Sequence, residues 1–189
     1  MGLPLHIQKS FVTCLFIGLF ASSVFAGSLP AIYKVAFDVG AQFYDYQNYQ
    51  NIPYFHGGLD LCAPAGTEVF TPVAGRVTVN DYQIVASKNP HQFKYRRRPF
   101  LRHEKSDTRY LEVVVIDEKG NNWMFRHIDP SSVPAGIFSA VSSGEVVPQG
   151  SKIGEVGRWI QPVLPEKHMY DHIHLEILAP DGKIGRAHV

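Results

Sequence analysis

Two short stretches of the sequence carry residues whose types and spacing suit a metal ion. Residues 56–60 read His-Gly-Gly-Leu-Asp, and residues 172–176 read His-Ile-His-Leu-Glu. Two imidazoles and one carboxylate form a three-ligand set that leaves a coordination position of Zn²⁺ open. At such a position the ion lowers the pKa of a water molecule and polarises a carbonyl group. The two stretches together therefore indicate metal-dependent hydrolysis.

Strand geometry determines which of these side chains can meet. Alternate side chains of a strand share one face, so His172, His174 and Glu176 point to one side and the apolar residues between them point into the core. The two glycines of the first stretch let the backbone turn, so that its histidine and aspartate converge. His127 ends an apolar run and is a further candidate for the same site.

Two plainer interpretations compete with a catalytic metal site. A structural zinc site closes its shell with four protein ligands that are usually rich in thiolates. Cys62 is the only cysteine after residue 26, so the sequence excludes a structural cysteine site. A lone histidine, in turn, is more often an ordinary polar residue than a ligand. Four histidines without a motif are expected at the surface, with His168 nearest the site: His91, His103, His168 and His188.

Short runs of apolar and β-branched residues alternate with turns rich in Gly, Pro, Asn and Asp. The runs lie at residues 68–71, 75–79, 110–117, 123–127 and 172–178. This spacing predicts an all-β fold, built as an antiparallel sheet, a sandwich or a barrel. No segment shows helical periodicity over three turns.

Composition narrows the class of protein. The chain has 189 residues, 45% of them hydrophobic, and a formal net charge of +1. It is long enough to bury its own core as one domain, and its apolar content excludes a disordered protein. Near-neutral charge argues against a protein that coats nucleic acid, so we expect no nucleic-acid partner.

Residues 1–26 have the pattern of a secretory signal peptide. Lys9 is their only charged residue, and an apolar run and small residues follow, with a cleavage site after Ala26. The alternative is a retained membrane anchor, but the apolar core is short for a span of about 20 residues. We therefore expect an exported protein that is periplasmic or secreted.

A strongly basic segment interrupts the second half of the strand pattern. Residues 88–110 contain eight Lys and Arg residues against two acidic residues. A charge run of this kind is most often a solvated loop. The functional alternative is attraction to an anionic polymer or a membrane surface. We call residues 82–110 the basic insert.

At these residues the sequence resembles the M23 family of zinc endopeptidases, the LytM or lysostaphin-type peptidoglycan hydrolases. Residues 56–60 are similar to the family's His-x-Gly-x-Asp opening, Phe125–Ile128 to its Tyr-x-His-Leu motif, and Asp171–Ile177 to its closing His-x-His strand. Further similar segments follow in family order, so that the resemblance covers roughly residues 52–178: Ala63–Val69, Val73–Val77 and Gly144–Gly154.

The resemblance implies a role for each candidate residue. His56, Asp60 and His174 would bind one Zn²⁺ ion, and the catalytic histidines would be His127 and His172. The implied fold is all-β and of the LytM type, the duplicated hybrid motif, with a central antiparallel sheet and a groove walled by loops. The implied substrate is a peptide bond in the stem or cross-bridge of peptidoglycan. We expect the protein to act as a monomer.

The implied domain organisation follows the same resemblance. A peptidase domain spans residues 52–189, contains the basic insert, and has long groove-walling loops at 129–143 and 158–171. Residues 27–51 form an aromatic-rich N-terminal segment, whose aromatic residues are expected to pack as an edge on the sheet or to line the cleft. Asp171 stands where the family usually has a small residue, and strand alternation turns it away from the imidazoles.

Two alternative functions remain open. One is a catalytically silent or latent module of M23 type that binds cell wall or activates another hydrolase. Degenerate modules of this kind lose metal ligands, whereas all five positions are present here. The other is a carrier domain of the lipoyl or biotinyl type, suggested by residues 144–154 alone. That class needs an attachment lysine in a Met-Lys or Asp-Lys hairpin, which the sequence lacks.

Overall fold

The computed structural model describes residues 31–49, 52–85, 94–102, 110–159 and 171–182. Within these ranges the chain is mostly antiparallel β-sheet with one short helix, which confirms the all-β class. The predicted signal peptide lies outside the described residues, as do the four histidines without a motif: His91, His103, His168 and His188.

The elements of the described ranges follow one another with short turns. The first seven strands are β1 Asp38–Ala41, β2 Tyr46–Tyr49, β3 Ile52–Phe55, β4 Leu59–Cys62, β5 Glu68–Phe70, β6 Gly75–Val85 and β7 Lys94–Pro99. They are followed by β8 Leu111–Ile116, β9 Asn122–Ile128, α1 Ala135–Ser143, β10 Val146–Val147, β11 Lys152–Glu155 and β12 His172–Leu178.

One large antiparallel sheet organises the described part of the chain. Its strands run in the order β1-β4-β12-β9-β8-β6-β10, and β7 pairs with β6 beside this order. Two small sheets accompany it, β5 with β11 and β2 with β3. At the centre, His174 of β12 lies opposite Asp60 on β4 and opposite Arg126 on β9. The sheet therefore joins segments that are more than a hundred residues apart in sequence.

The apolar face of the sheet forms the core. On β12, Ile173 and Leu175 are buried among apolar side chains, as the alternation of that strand predicts. The neighbouring β8 contributes Leu111, Val113 and Val115, none of which has any exposed surface. Burial of each such side chain stabilises the fold by about 2 kcal/mol. The opposite face of β12 is left for polar side chains.

The expectation of a loop over residues 129–143 is wrong for its second half, which is α1. The helix begins after Pro134 and ends at Gly144, whose φ of 74° is a left-handed conformation that glycine adopts without strain. Ile137 and Ala140 bury one side of the helix. Nine residues make fewer than three turns, so the search for long helical periodicity could not detect it. No helix in the described ranges is long and apolar enough to cross a membrane.

The interpretation of the basic insert as a solvated loop is wrong for its described part. β7 returns antiparallel along the second half of β6. Arg98 Nη2 lies 2.8 Å from Asp81 Oδ2, and Arg97 Nε lies 2.6 Å from Glu112 Oε1. Both carboxylates are buried in the sheet, and a buried charge requires a partner. These two arginines therefore neutralise buried acidic groups.

The aromatic residues near the N-terminus form an exposed cluster. β1 pairs with β4 as an edge strand of the large sheet, as expected. The rings that follow it contact one another at the surface instead, so the expectation that they pack on the sheet is wrong for them: Phe43, Tyr44, Tyr46 and Phe55.

A tight turn joins β8 to β9, and Asp117 organises it. Its carboxylate accepts hydrogen bonds from the backbone amides of Lys119 and Asn121 and from the indole of Trp123, at 2.9 to 3.1 Å. Burial alone would raise the pKa of Asp117, but the hydrogen bonds from Asn121 and Trp123 outweigh it and lower that pKa below its ordinary value of 3.8. The turn therefore depends on the ionised carboxylate.

The substitution Asp117→Asn should lower the free energy of unfolding at pH 7 by about 1–2 kcal/mol, because charge-assisted hydrogen bonds are lost. A carboxyl whose pKa is lower in the folded than in the unfolded state contributes stability above its unfolded pKa, and this contribution disappears as the pH falls further. Chemical denaturation at pH 7 and about pH 3 should therefore show a smaller difference between variant and wild type at the lower pH. An equal difference at both pH values would contradict this role.

Candidate metal centre

The three predicted ligands meet at the centre of the sheet. Asp60 and His174 are directly opposite each other on β4 and β12. His56 precedes β4 and reaches the same point through the turn that contains Gly58. A Cβ atom at Gly58 would collide with the backbone oxygen of Leu175, so this turn can lie against β12 only because the residue has no side chain. The local sequence thus brings both parts of the motif together.

The ligand atoms of these side chains form a small triangle. His56 Nε2 and His174 Nδ1 lie 2.9 Å apart, and Asp60 Oδ1 lies 3.1 Å from the first and 2.9 Å from the second. Two Zn–N bonds and one Zn–O bond of ordinary length in a tetrahedral shell would place the three atoms about 3.3 Å apart. The group is therefore already arranged as one that could hold a metal ion.

The protonation of Asp60 suits a ligand. Burial alone would raise the pKa of its carboxyl, but hydrogen bonds from His174 and His56 outweigh burial and hold the pKa well below its ordinary value. The side chain is therefore a carboxylate at neutral pH, which is the form that binds metal ions.

Each candidate histidine ligand is oriented by an acceptor on its other ring nitrogen. His56 Nδ1 lies 3.1 Å from the backbone oxygen of Gln42, and His174 Nε2 lies 2.9 Å from Glu176 Oε1. A proton on each of these nitrogens satisfies the acceptor and leaves the lone pair of the other nitrogen directed into the triangle. Carbonyl and carboxylate acceptors of this kind fix the tautomer and ring orientation of metal-ligating histidines.

A chain of buried charges supports Glu176. Arg126, which is only 1% exposed, contacts Glu176 Oε1 through Nη1 at 2.5 Å and Glu112 Oε2 through Nε at 2.8 Å. Arg97 of β7 contacts the other oxygen of Glu112. Burial alone would raise the pKa of Glu176, but the hydrogen bond from His174 and the charge of Arg126 lower it to about 2. Glu176 is therefore ionised and able to accept a proton from His174.

The two predicted catalytic histidines lie beside the triangle. His172 Nε2 is 3.7 Å from Asp60 Oδ1, and the rings of His127 and His172 are 4.8 Å apart between centroids. All five predicted site residues are thus brought together, and the four histidines are buried. Burial, followed by the charges of His172 and His174, lowers the pKa of His127 well below its ordinary value of 6.5. His127 is therefore neutral at neutral pH.

His127 also has an unusual backbone. Its φ is 68°, in the left-handed region that side-chain-bearing residues adopt at a cost of about 1–2 kcal/mol. The backbone amide of Gly157 donates a hydrogen bond to the carbonyl of His127 at 2.8 Å. The strain turns the imidazole out of the alternation of β9 and towards the triangle.

Trp159 closes one side of the histidine pair. Its ring lies 4.5 Å from that of His127 and 5.2 Å from that of His172, and it stacks on Tyr110 at 5.5 Å. Asp171 fixes it, because the carboxylate accepts a hydrogen bond from the backbone amide of Trp159 at 2.6 Å. The other oxygen of Asp171 accepts from a backbone amide of the chain before β5. The expectation that Asp171 turns away from the imidazoles agrees with these partners.

Several supporting residues were not found from the sequence. Arg126 gave the clearest signal, because it is a charged residue inside an apolar strand, and a charge in such a place must be paired. The pairing itself joins three strands and cannot be read from any one of them. Trp159 and Tyr110 carry no motif at all.

Comparison with known proteins gives no assignment. No family model matches the chain, and no curated protein matches it. The fold and the site define an all-β protein with a buried His-Asp-His group that could hold a metal ion.

The substitution Glu176→Gln should weaken Zn²⁺ binding by about tenfold or more, because the charged acceptor that orients His174 is lost. Competition against a chelator at pH 7 measures the affinity. The matched control is Glu155→Gln, which removes a carboxylate paired with Lys152 away from the site and should leave affinity unchanged. Equal affinity of Glu176→Gln and wild type would show that Glu176 does not orient the ligand.

Proposed function

We propose that this protein is an exported zinc endopeptidase of the M23 type that hydrolyses peptide bonds of peptidoglycan. The observation that carries the proposal is the arrangement of His56, Asp60 and His174 beside two further buried histidines on one face of the sheet. A purely structural site has no need of the second pair. The LytM-type fold, the peptidoglycan substrate and the export through residues 1–26 rest on the sequence resemblance.

The donor set fits Zn²⁺ as the resident ion. Two imidazole nitrogens and one carboxylate oxygen are borderline and hard ligands that zinc accepts, and three protein ligands leave a coordination position for substrate or water. The tautomers set by Gln42 and Glu176 present the correct nitrogens without further rearrangement. When bound, the ion would supply Lewis acidity, which activates water and polarises the scissile carbonyl.

We assign proton transfer to His172. Its Nε2 faces the ligand triangle, as the 3.7 Å distance to Asp60 Oδ1 indicates. A group in this position takes a proton from the attacking water and returns it to the departing amine. Asp60 beside it stabilises the imidazolium that forms in between.

We assign charge stabilisation to His127. The ring is neutral at neutral pH, so one nitrogen carries a proton and donates a hydrogen bond to the carbonyl oxygen that gains negative charge. Trp159 packs against both histidines and shields them from bulk water. A water-poor surrounding strengthens the hydrogen bond from His127.

The basic insert has a smaller part in this proposal. Arg97 and Arg98 are engaged with buried carboxylates, whereas Arg96 and Arg102 have exposed side chains on the same β7 region. We propose that exposed charge in the insert attracts anionic cell-wall polymer or a membrane surface. Such attraction raises the rate of encounter and weakens with salt. The monomer remains the expected state.

The purified protein should contain close to one zinc ion and should release new amino termini from isolated sacculi. Removal of the metal by a chelator should abolish the release, and added Zn²⁺ should restore it. A protein with one zinc ion and no release of amino termini from any peptidoglycan tested would favour the silent module instead. A protein that binds no metal with all five residues intact would overturn the metal assignment.

The substitution His172→Ala should lower the rate of cleavage by about 100-fold or more, because the proton carrier is lost, while zinc content stays near one. Asp60→Ala is the matched comparison and should lose zinc and cleavage together. Metal analysis and amino-terminus release on the same preparations separate the two roles. Normal cleavage by His172→Ala would show that His172 does not transfer the proton.

A further inference from the structure

Tyr82 contacts the catalytic histidine His127 from a strand outside the sequence motifs. Tyr82 Oη lies 2.5 Å from His127 Nδ1. Both side chains are buried, with 5% and 8% of their surface exposed. β6 carries Tyr82 just past Asp81, which is the last residue of β6 to pair with β8. The phenol can therefore reach across the sheet to β9, where β8 has not yet begun.

We propose that Tyr82 is a positioning residue that fixes the tautomer of His127 with its proton on Nε2. This inference rests on the proposed function for its consequence, although the tautomer itself can be measured without any substrate. It names the atom of His127 that meets the scissile carbonyl. It also assigns different chemical tasks to the two histidines.

The direction of the hydrogen bond follows from the two groups. A neutral imidazole has one nitrogen that donates and one that accepts, and a phenol can donate or accept. The in-plane lone pair of the imidazole nitrogen is a better acceptor than the phenol oxygen, whose lone pair is delocalised into its ring. Tyr82 therefore donates to Nδ1 of His127. The proton of His127 then resides on Nε2, the nitrogen that Tyr82 does not occupy.

The strained backbone of His127 makes this contact useful. A residue held at a φ of 68° persists in that conformation only where its surroundings fix it from several sides. The Gly157 amide holds the carbonyl of His127, and Trp159 and His172 pack on its ring. Of these described contacts, the Tyr82 hydrogen bond selects between the two nitrogens of the ring.

The consequence is a division of labour between the histidines. With its proton on Nε2, His127 can donate to the carbonyl oxygen of the peptide but cannot accept a proton at that atom. His172 must then carry the proton between water and leaving amine. A His127 ring of the opposite tautomer would offer a lone pair to the carbonyl oxygen, and two electron-rich groups would face each other.

The test compares wild type with Tyr82→Phe, using the zinc-loaded protein labelled with ¹⁵N-histidine. Long-range ¹H–¹⁵N correlation should show a protonated Nε2 and an unprotonated, hydrogen-bonded Nδ1 for His127 in wild type. In Tyr82→Phe the two nitrogen signals should move towards an exchanging mixture of tautomers. The value of kcat should fall by about tenfold or more while KM and zinc affinity stay within about twofold.

The matched control is Tyr110→Phe. The Tyr110 ring also packs against His127, but its hydroxyl donates to the backbone oxygen of Arg158 at 2.7 Å. It removes the same atom type from a neighbouring ring, so the ¹⁵N signals of His127 should remain those of the wild-type tautomer. A tautomer change in both variants would show that general loosening of the site is responsible, and the proposal would fail.

Two further results would overturn the proposal. One is a wild-type His127 with its proton on Nδ1, and the other is a Tyr82→Phe protein whose His127 signals match wild type. Neither depends on cleavage, so a protein without peptidase activity leaves the tautomer result readable and counts against the proposed function alone. Cleavage with an unchanged kcat in Tyr82→Phe counts against the further inference alone.

Discussion

The arrangement of the site depends on Arg126, a cation buried at the centre of the sheet between two carboxylates. Each ion taken out of water costs several kcal/mol unless it is paired with good geometry. Glu112 on β8 and Glu176 on β12 provide that pairing on either side of β9. Three strands are thus held in one register, since a shift of any of them would leave a charge without its partner. The same register places His174 opposite Asp60.

The buried chain of charges also explains the composition of the basic insert. Arg97 extends the chain from Glu112 to the surface strand β7, and Arg98 pairs with Asp81 in the same hairpin. A nearly neutral sequence with one basic segment therefore folds so that part of the positive charge neutralises acids inside the sheet. Local charge counting overestimates the field that such a segment presents to solvent.

The sequence allowed most of the sheet to be predicted, but little of what supports the site. Alternation located β12 and the burial of Ile173 and Leu175, because strand periodicity is a local property. The spacing of His56, Asp60 and His174 identified the ligand group for the same reason. The helix α1 was missed since it has fewer than three turns. Arg126 and Tyr82 find their partners on other strands, and no local pattern encodes a contact across a sheet.

The source of the site's order distinguishes this fold from small domains that a metal ion holds together. In those domains the binding energy of the ion is spent on folding. Here the described residues provide a continuous apolar core, with Val113, Val115 and Ile173 fully buried. The ring orientations of the candidate ligands are set by Gln42 and Glu176, and the strained backbone of His127 is set by its protein neighbours. An ion that enters such a site need not order its ligands, so its binding energy remains available for affinity. The open coordination position can then be reserved for substrate.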